Sequence, residues 1–201
     1  VEQEEVMKLP EVPEIKSGQA FAKVLIDDSK AGWADSVQTL MESLYDGQNL
    51  YFDYSAIRPE GARLNTMGGR ASGPTPLIKL HDFIRETMHT AQGRKLTTLE
   101  AHDICNQIAE IVVVGGVRRS SQISLSDLDD KDMRHAKEWP FPIKRAMANN
   151  SAVFREKPSA AEFLKEWASL ALSGTGERGI FNLNAAQSRA PSRRYAPLIQ
   201  G

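Results

Sequence analysis

Cysteine is almost absent from the sequence, and so is any excess of charge. The one cysteine, Cys105, excludes an internal disulfide and a zinc site built from cysteines. The 25 lysines and arginines are balanced by 26 aspartates and glutamates, so the chain lacks the basic excess of proteins that coat nucleic acid. No apolar run is long enough to cross a bilayer, and no signal peptide is recognisable. These absences favour a cytoplasmic protein whose partners are neither a membrane nor a nucleic acid.

Familiar catalytic patterns are missing too. The sequence contains no Walker loop, no HExxH and no GxSxG. Cys105 lies in an apolar helical stripe, which predicts a small core residue and not a nucleophile. The histidines are scattered, and none shares a ligand-like spacing with a nearby carboxylate, so no metal site is predicted; they are His81, His89, His102 and His135.

Strand-like and helical patterns alternate along the chain, and 41% of the residues are hydrophobic, enough for a core. This order predicts an α/β fold with parallel strands, helical crossovers and ligands at one end of the strands. Residues 1–16 are acidic and proline-containing and are predicted to be a linker or arm. Predicted strands lie within residues 19–26, 50–54, 147–153 and 179–183. A further strand is predicted at the end of the central stretch, residues 111–125. Predicted helices cover residues 31–46, residues 127–137 and the stretch from a Thr75 cap to Gly93. Two more helices begin at capping boxes, Thr97–Glu100 and Ser159–Glu162. The second of these is predicted to face inward with Phe163, Leu164, Trp167 and Leu170.

The centre of the chain, residues 111–125, reads IVVVGGVRRSSQISL. Gly115 and Gly116 allow a sharp turn and a close approach of backbone to a ligand. Arg118 and Arg119, followed by Ser120, supply fork-shaped donors that suit phosphate oxygens. The pattern predicts a loop that handles a nucleotide or another polyanion. The alternative is a pair of surface charges at a helix end, where cations favour the helix dipole.

A second glycine-rich stretch covers residues 67–74, MGGRASGP. Gly68, Gly69 and Gly73, with Arg70 and Ser72 among them, are typical of backbone amides presented to an anion. An ordinary glycine-rich turn would have the same composition, and the residues alone leave both interpretations open.

Several separated motifs together resemble the adenosylcobalamin-dependent, class II ribonucleotide reductases, and within them the single-chain ribonucleoside-triphosphate type. The resemblance covers about residues 30 to 185 in collinear order. Its motifs are DYSAIRPEGARL (53–64), GGRASGPTPLI (68–78), LEAHDICNQIAEIVVVGGVRRSSQISL (99–125), MANNSAV (147–153) and GERGIFNLN (176–184).

The resemblance implies half of a ten-stranded α/β barrel of the ribonucleotide reductase type. In domain terms, it implies that residues 1–30 are a linker or the end of an upstream insertion. Residues 31–188 would be the first half-barrel, and residues 189–201 a tail leading toward the finger-loop segment. The implied activity is reduction of a ribonucleotide to a 2′-deoxyribonucleotide by thiyl-radical chemistry, with adenosylcobalamin as the cofactor.

The resemblance also assigns residues, and it exposes departures. Ser55, Ala56 and Arg58 match a loop beside the substrate, and Asn149 and Asn150 match a strand start of structural or substrate-side role. Residues 68–73 resemble the first specificity loop and residues 115–121 the second, which links a deoxynucleotide effector to the substrate base. The family's radical cysteine lies in an Asn-Pro-Cys-x-Glu segment, which this sequence does not contain, and its first redox cysteine would lie upstream of Val1. Cys105 matches neither role, and cobalamin contacts belong to later parts of the family's chain.

These departures imply a fragment that supplies substrate and effector loops and is inactive alone. Its implied partners are a complementary C-terminal reductase segment and, for the full enzyme, a thioredoxin-like reductant. The alternative is a non-catalytic nucleotide-binding or assembly half of a split reductase. A glycyl-radical relative of similar barrel fold fits the GGVRRS and NNS motifs less well.

Overall fold

The structure is a computed structural model, and it describes residues 3–16, 23–64, 69–113 and 122–191. The chain divides into two compact units, residues 9–120 and residues 121–201, and the second unit also includes residues 1–8 with helix α1 (Gln3–Lys8). No helix in the described ranges is long and apolar enough to span a membrane. The cytoplasmic location stays a prediction.

The unit of residues 9–120 is built on one β-α-β crossover. Strand β1 (Val24–Leu25) pairs in parallel with β2 (Phe52–Asp53), and helix α2 (Lys30–Tyr45) connects them. Helices α3 (Thr75–Thr90) and α4 (Thr98–Val113) follow. The core lies among these helices, where the fully buried side chains include Leu40, Leu44, Leu77, Leu80, Ile84 and Met88.

The segment before β1 belongs to this core. Val12 and Ile15 are buried, and the Val12 amide donates to the Arg94 carbonyl at 2.9 Å. The Ile15 amide donates to the side-chain oxygen of Gln92 at 2.8 Å. The acidic, proline-containing residues are therefore held against the end of α3 along residues 12–15. The domain limits at residues 30 and 188 stay a prediction.

The second unit contains a three-stranded parallel sheet. Strand β3 (Gln122–Ser126) pairs with β4 (Ala148–Phe154), which pairs with β5 (Gly179–Asn182). Helix α5 (Lys131–His135) and a 3₁₀ helix (Ile143–Met147) connect β3 to β4, helix α6 (Ala160–Ser173) connects β4 to β5, and α7 (Leu183–Ser188) follows. The predicted α/β fold with parallel strands and helical crossovers is confirmed.

Both predicted capping boxes are present. Thr97 Oγ1 accepts from the Glu100 amide at 3.1 Å while the Glu100 carboxylate accepts from the Thr97 amide at 2.9 Å. Ser159 and Glu162 make the same reciprocal pair at the start of α6. The Thr75 cap is wrong, because Pro74 occupies the cap position and Thr75 is the first helical residue. Proline in the first turn, at Pro76, is as predicted.

The inward face predicted for α6 is only partly correct. Leu164 and Trp167 are 58% and 54% exposed and are wrongly predicted, whereas Leu170 is half-buried and the Phe163 ring lies 6.5 Å from that of the buried Phe154. The buried side chain of the helix is Glu166. The reason is an ion pair: Arg178, buried beside the sheet, places its guanidinium 3.4 Å from the Glu166 carboxylate. Helical periodicity identifies residues that share a face, but the buried arginine decides which face turns inward.

Cys105 also differs from its prediction, because it is exposed on α4 together with Ile108 and Val112. The inward side of this helix instead carries Ile104 and Ala109. Desolvation by the groups around the sulfur still raises the pKa of the Cys105 thiol. The sulfur therefore lacks the low pKa of a reactive thiolate, and the absence of a nucleophilic role stays a prediction.

Candidate functional site

The loop at the carboxyl end of β2 presents two of the predicted substrate residues to solvent. Ser55 and Ala56 are exposed, while Ile57 is buried and anchors the loop. The Asp53 carboxylate accepts from the Ser55 amide at 3.0 Å and lies 3.0 Å from the Lys23 ammonium. The hydrogen bonds from Ser55 and the nearby Lys23 lower the pKa of Asp53 to about 2. Asp53 thus stays ionised and fixes the turn that displays Ser55.

Arg58, the third predicted substrate residue of this loop, has a carboxylate partner. Its Nε donates to Asp28 Oδ2 at 2.6 Å, and the two side chains are 40% and 30% exposed. The ion pair ties the loop to the chain just before α2. Arg58 therefore lies at the expected strand end, partly neutralised and oriented by Asp28.

A buried histidine holds the residue that precedes this loop through a hydrogen bond. His81, on α3, is fully buried, and its Nδ1 lies 2.8 Å from the Tyr54 hydroxyl and its Nε2 3.2 Å from Ser36 Oγ. The Ser36 hydroxyl donates its hydrogen to the Trp33 carbonyl at 2.8 Å, so Ser36 Oγ accepts from Nε2–H. Nδ1 consequently accepts from the Tyr54 hydroxyl.

Burial, together with the positive charge of Arg85, lowers the pKa of His81 to about 4. Burial likewise raises the pKa of Tyr54, so its hydroxyl keeps the proton that it donates to the imidazole. The chain Tyr54–His81–Ser36 is therefore neutral at ordinary pH. It fixes the residue that directly precedes the exposed Ser55.

The described part of the glycine-rich stretch pairs antiparallel with residues 61–64, which continue from the strand-end loop. The Gly61 amide donates to the Ala71 carbonyl at 2.9 Å, and the Ala71 amide donates to the Ala62 carbonyl at 2.7 Å. Arg70 is exposed in this paired segment, and its guanidinium donates to the Gly61 carbonyl at 3.0 Å. Gly69 is exposed and has φ 88°. Of the other predicted residues, Ser72 is half-buried and Gly73 buried, whereas Gly68 lies outside the described residues.

The central loop lies outside the described residues. Helix α4 ends at Val113 and β3 begins at Gln122, and the predicted residues Gly115, Gly116, Arg118, Arg119 and Ser120 fall between them. Their role stays a prediction.

In the other unit, the two asparagines at the start of β4 lie on opposite faces of the sheet. Asn149 pairs with Ile123 in the sheet register, and both residues are exposed, Ile123 by 73%. Asn150 pairs with Ser124, and both are buried. Successive side chains of a strand alternate between faces, so only Asn149 is placed to meet a ligand from solvent.

Sequence reasoning did not identify the groups that hold these residues. Lys137 and Glu177 contact the backbone on either side of Asn149, and His81 supports the residue before Ser55. A histidine at an inward position of an apolar helix was the one available signal for His81. The spacing of Lys137 and Glu177 in the chain carries no comparable pattern.

Comparison with known proteins supports the resemblance seen in the sequence. Residues 11–88 match the family model described as B12-dependent ribonucleotide reductase, insertion domain. The adenosylcobalamin-dependent ribonucleoside-triphosphate reductase of Lactobacillus acidophilus is 33% identical over 190 residues, covering 88% of this chain and 23% of that protein. The enzyme of the same name from Euglena gracilis is 33% identical over 147 residues, covering 71% of this chain and 20% of that protein.

A crystal structure of a B12-dependent (class II) ribonucleotide reductase superimposes with a TM-score of 0.69 and 28% identity, covering 90% of this chain and 25% of that one. The chain belongs to the class II ribonucleotide reductases. It spans about a quarter of the length of the curated relatives that it matches. Both the family prediction and the fold prediction, a half-barrel piece of the reductase type, are confirmed.

Proposed function

We propose that this segment supplies substrate and effector loops to an adenosylcobalamin-dependent reductase that converts ribonucleotides to 2′-deoxyribonucleotides. The observation that carries the proposal is a structural match over 90% of the chain to a class II reductase. The strand-end loop and the start of β4 are the places where it would meet the substrate. Ser55, Ala56 and Asn149 are exposed there, on backbone segments whose amides are held by the Asp53 and Glu177 carboxylates.

The glycine-rich stretches would serve the effector. The described part of the first exposes Arg70, whose guanidinium suits a phosphate. The second contributes Arg118 and Arg119. If the effector and the substrate both contact this second loop, and the loop has two conformations, their binding would be coupled. A coupling free energy of about 1–3 kcal/mol is enough to change which base is preferred.

The cofactor and the radical chemistry belong, in this proposal, to other parts of the enzyme. Within the described ranges, no group of three or more ligating side chains could hold a metal ion. The one cysteine, Cys105, has a raised pKa on the outside of α4. When bound, adenosylcobalamin would supply the radical, and we assign no residue of this segment to holding it. A complementary C-terminal segment and a thioredoxin-like reductant complete the proposed set of partners.

The proposal is tested in the full-length reductase by Arg118→Ala and Arg119→Ala. Each variant should change which ribonucleotide base is reduced, measured by competition among the four substrates, more than it changes cobalt–carbon bond cleavage, measured by the cobalamin spectrum. Unchanged base preference together with lost cleavage would refute the assignment of the loop.

The segment alone gives a second test. Mixed with adenosylcobalamin, a dithiol and a ribonucleotide, the 201-residue chain should form no deoxynucleotide, because its one cysteine matches neither a radical nor a redox position. Turnover by the isolated chain would contradict this. Deoxynucleotide binding without turnover is the result expected of an effector-binding segment.

A further inference from the structure

Strand β4 begins three residues before its neighbour β5 can pair with it. The register of the two strands starts at Ser151 opposite Gly179, whereas β4 starts at Ala148. At this end of β4, before its pairing with β5 begins, the Asn150 amide donates to Glu177 Oε2 at 2.6 Å. A side-chain carboxylate therefore takes the place of a strand carbonyl as the acceptor.

Lys137 completes the arrangement from the connection between β3 and β4. Its ammonium donates to the Ala148 carbonyl and lies 2.9 Å from Glu177 Oε1. The two side chains are only 10% and 15% exposed. The contacts run from the Ala148 carbonyl through the lysine and the glutamate to the Asn150 amide.

These two backbone groups belong to the peptide units on either side of Asn149. The carbonyl of Ala148 sits in the peptide before it, and the amide of Asn150 sits in the peptide after it. Holding both peptide planes fixes the backbone dihedrals of Asn149 and hence the direction of its side chain. That side chain is the exposed one, on the face opposite the buried Asn150.

We infer that Lys137 and Glu177 are positioning residues that orient the Asn149 carboxamide toward the ribonucleotide. The inference rests on the proposed function, since it takes Asn149 to be a substrate contact. A largely buried ion pair contributes little net stability compared with apolar side chains of similar size, because both charges lose their water. A requirement for orientation explains why a charged pair lies here.

The test is a double-mutant cycle in the full-length reductase with Asn149→Ala and Glu177→Ala. Each single variant should lower kcat/KM by about tenfold, the usual scale for one lost hydrogen bond to substrate. If Glu177 acts through Asn149, the double variant should be no more than about threefold worse than Asn149→Ala alone. Multiplied effects, or a Glu177→Ala enzyme as active as wild type, would overturn the inference.

Two further measurements separate orientation from a general loss of structure. Hydrogen exchange at the Asn150 amide should accelerate in Glu177→Ala, and Lys137→Arg should restore activity that Lys137→Met loses. Glu138→Gln is the matched control, because that carboxylate is next in sequence to Lys137 but pairs with His135 at the surface. Its kcat/KM should stay at the wild-type value. Equal losses in Glu138→Gln and Glu177→Ala would contradict positioning.

The outcomes also distinguish this inference from the proposed function. A wild-type enzyme that forms no deoxynucleotide refutes the proposed function, whatever the exchange rate of the Asn150 amide. An active enzyme whose kcat/KM falls in Asn149→Ala but not in Glu177→Ala refutes the positioning role and is consistent with the proposed function. If Glu177→Ala does not fold, Glu177→Leu replaces it in the cycle under the same criteria, because leucine is similar in size to glutamate but offers no acceptor to the Asn150 amide.

Discussion

Acidification should destabilise the unit of residues 9–120 through one buried imidazole. His81 is fully buried, donates to Ser36 and accepts from Tyr54, and burial lowers its pKa from 6.5 to about 4. Between these two pH values the unfolded chain binds a proton that the folded chain excludes. The contribution of His81 to the free energy of unfolding is therefore fully present above pH 6.5 and is lost as the pH falls toward about 4. Below about pH 4 the free energy of unfolding no longer depends on this group.

The size of the loss follows from the pKa difference. At about 1.4 kcal/mol per pKa unit, the change from 6.5 to about 4 amounts to about 3.5 kcal/mol in full, of which about 3 kcal/mol is lost by pH 4. Because no part of His81 is exposed, solvent does not reduce this figure. The lowered pKa of Asp53, about 2, places the acid sensitivity of that carboxylate at lower pH, so the two effects separate.

Trp33 offers a local probe, because its carbonyl accepts from Ser36 in the same network. With Trp139 and Trp167 changed to phenylalanine, urea unfolding of the 201-residue chain followed by tryptophan fluorescence reports the unit of residues 9–120. We expect the unfolding free energy to fall by about 3 kcal/mol between about pH 7 and about pH 4.

His81→Gln supplies the control, since glutamine keeps a donor and an acceptor but does not titrate. Its stability should be lower at neutral pH and nearly constant over the same interval. An equal slope in the variant and the parent chain, or an imidazole that titrates near 6.5 by NMR in the folded chain, would refute the argument.

Two other predictions concern the backbone and the sheet. Arg178→Met removes one of the two guanidinium partners of the buried Glu166, Arg134 being the other, together with the hydrogen bonds of Arg178 to Ser126 and to the Asp127 and Leu128 carbonyls. It should destabilise the unit of residues 121–201 by about 3 kcal/mol, measured by chemical unfolding with Trp167 fluorescence after Trp33 and Trp139 are changed to phenylalanine; a loss below about 0.5 kcal/mol would contradict it. Gly73→Ala should lower the free energy of unfolding by about 1 kcal/mol more than Gly93→Ala, measured by thermal unfolding. Both glycines have positive φ, but only at Gly73 would the added methyl group lie 3.0 Å from another backbone nitrogen. Equal losses in the two glycine variants would show that φ alone sets the cost.

The starts of the two helices with capping boxes, and the order of strands and helices, could be predicted from the sequence. A capping box needs two residues three positions apart, as in Ser159 and Glu162, and a strand needs only an alternating run of a few residues. Such interactions form among chain neighbours, so their partners are visible in any short window. The same reasoning placed Pro76 correctly in the first turn of α3.

The site depended on partners that the chain brings together from afar. Tyr54 is 27 residues from His81, and Lys137 is 40 residues from Glu177. Parallel strands require a crossover between neighbours, so adjacent positions in the sheet are distant in sequence, and no local pattern identifies them.

What the sequence by itself determined was therefore the family, the parallel α/β order and the starts of capped helices, because these depend on motifs and on neighbouring residues. Only the tertiary structure decided that α6 turns Glu166 inward and that Asn149 is exposed while Asn150 is buried. The physical reason is that helical and strand periodicity assigns residues to a face, whereas the choice of the buried face depends on a partner such as Arg178, supplied from elsewhere in the chain.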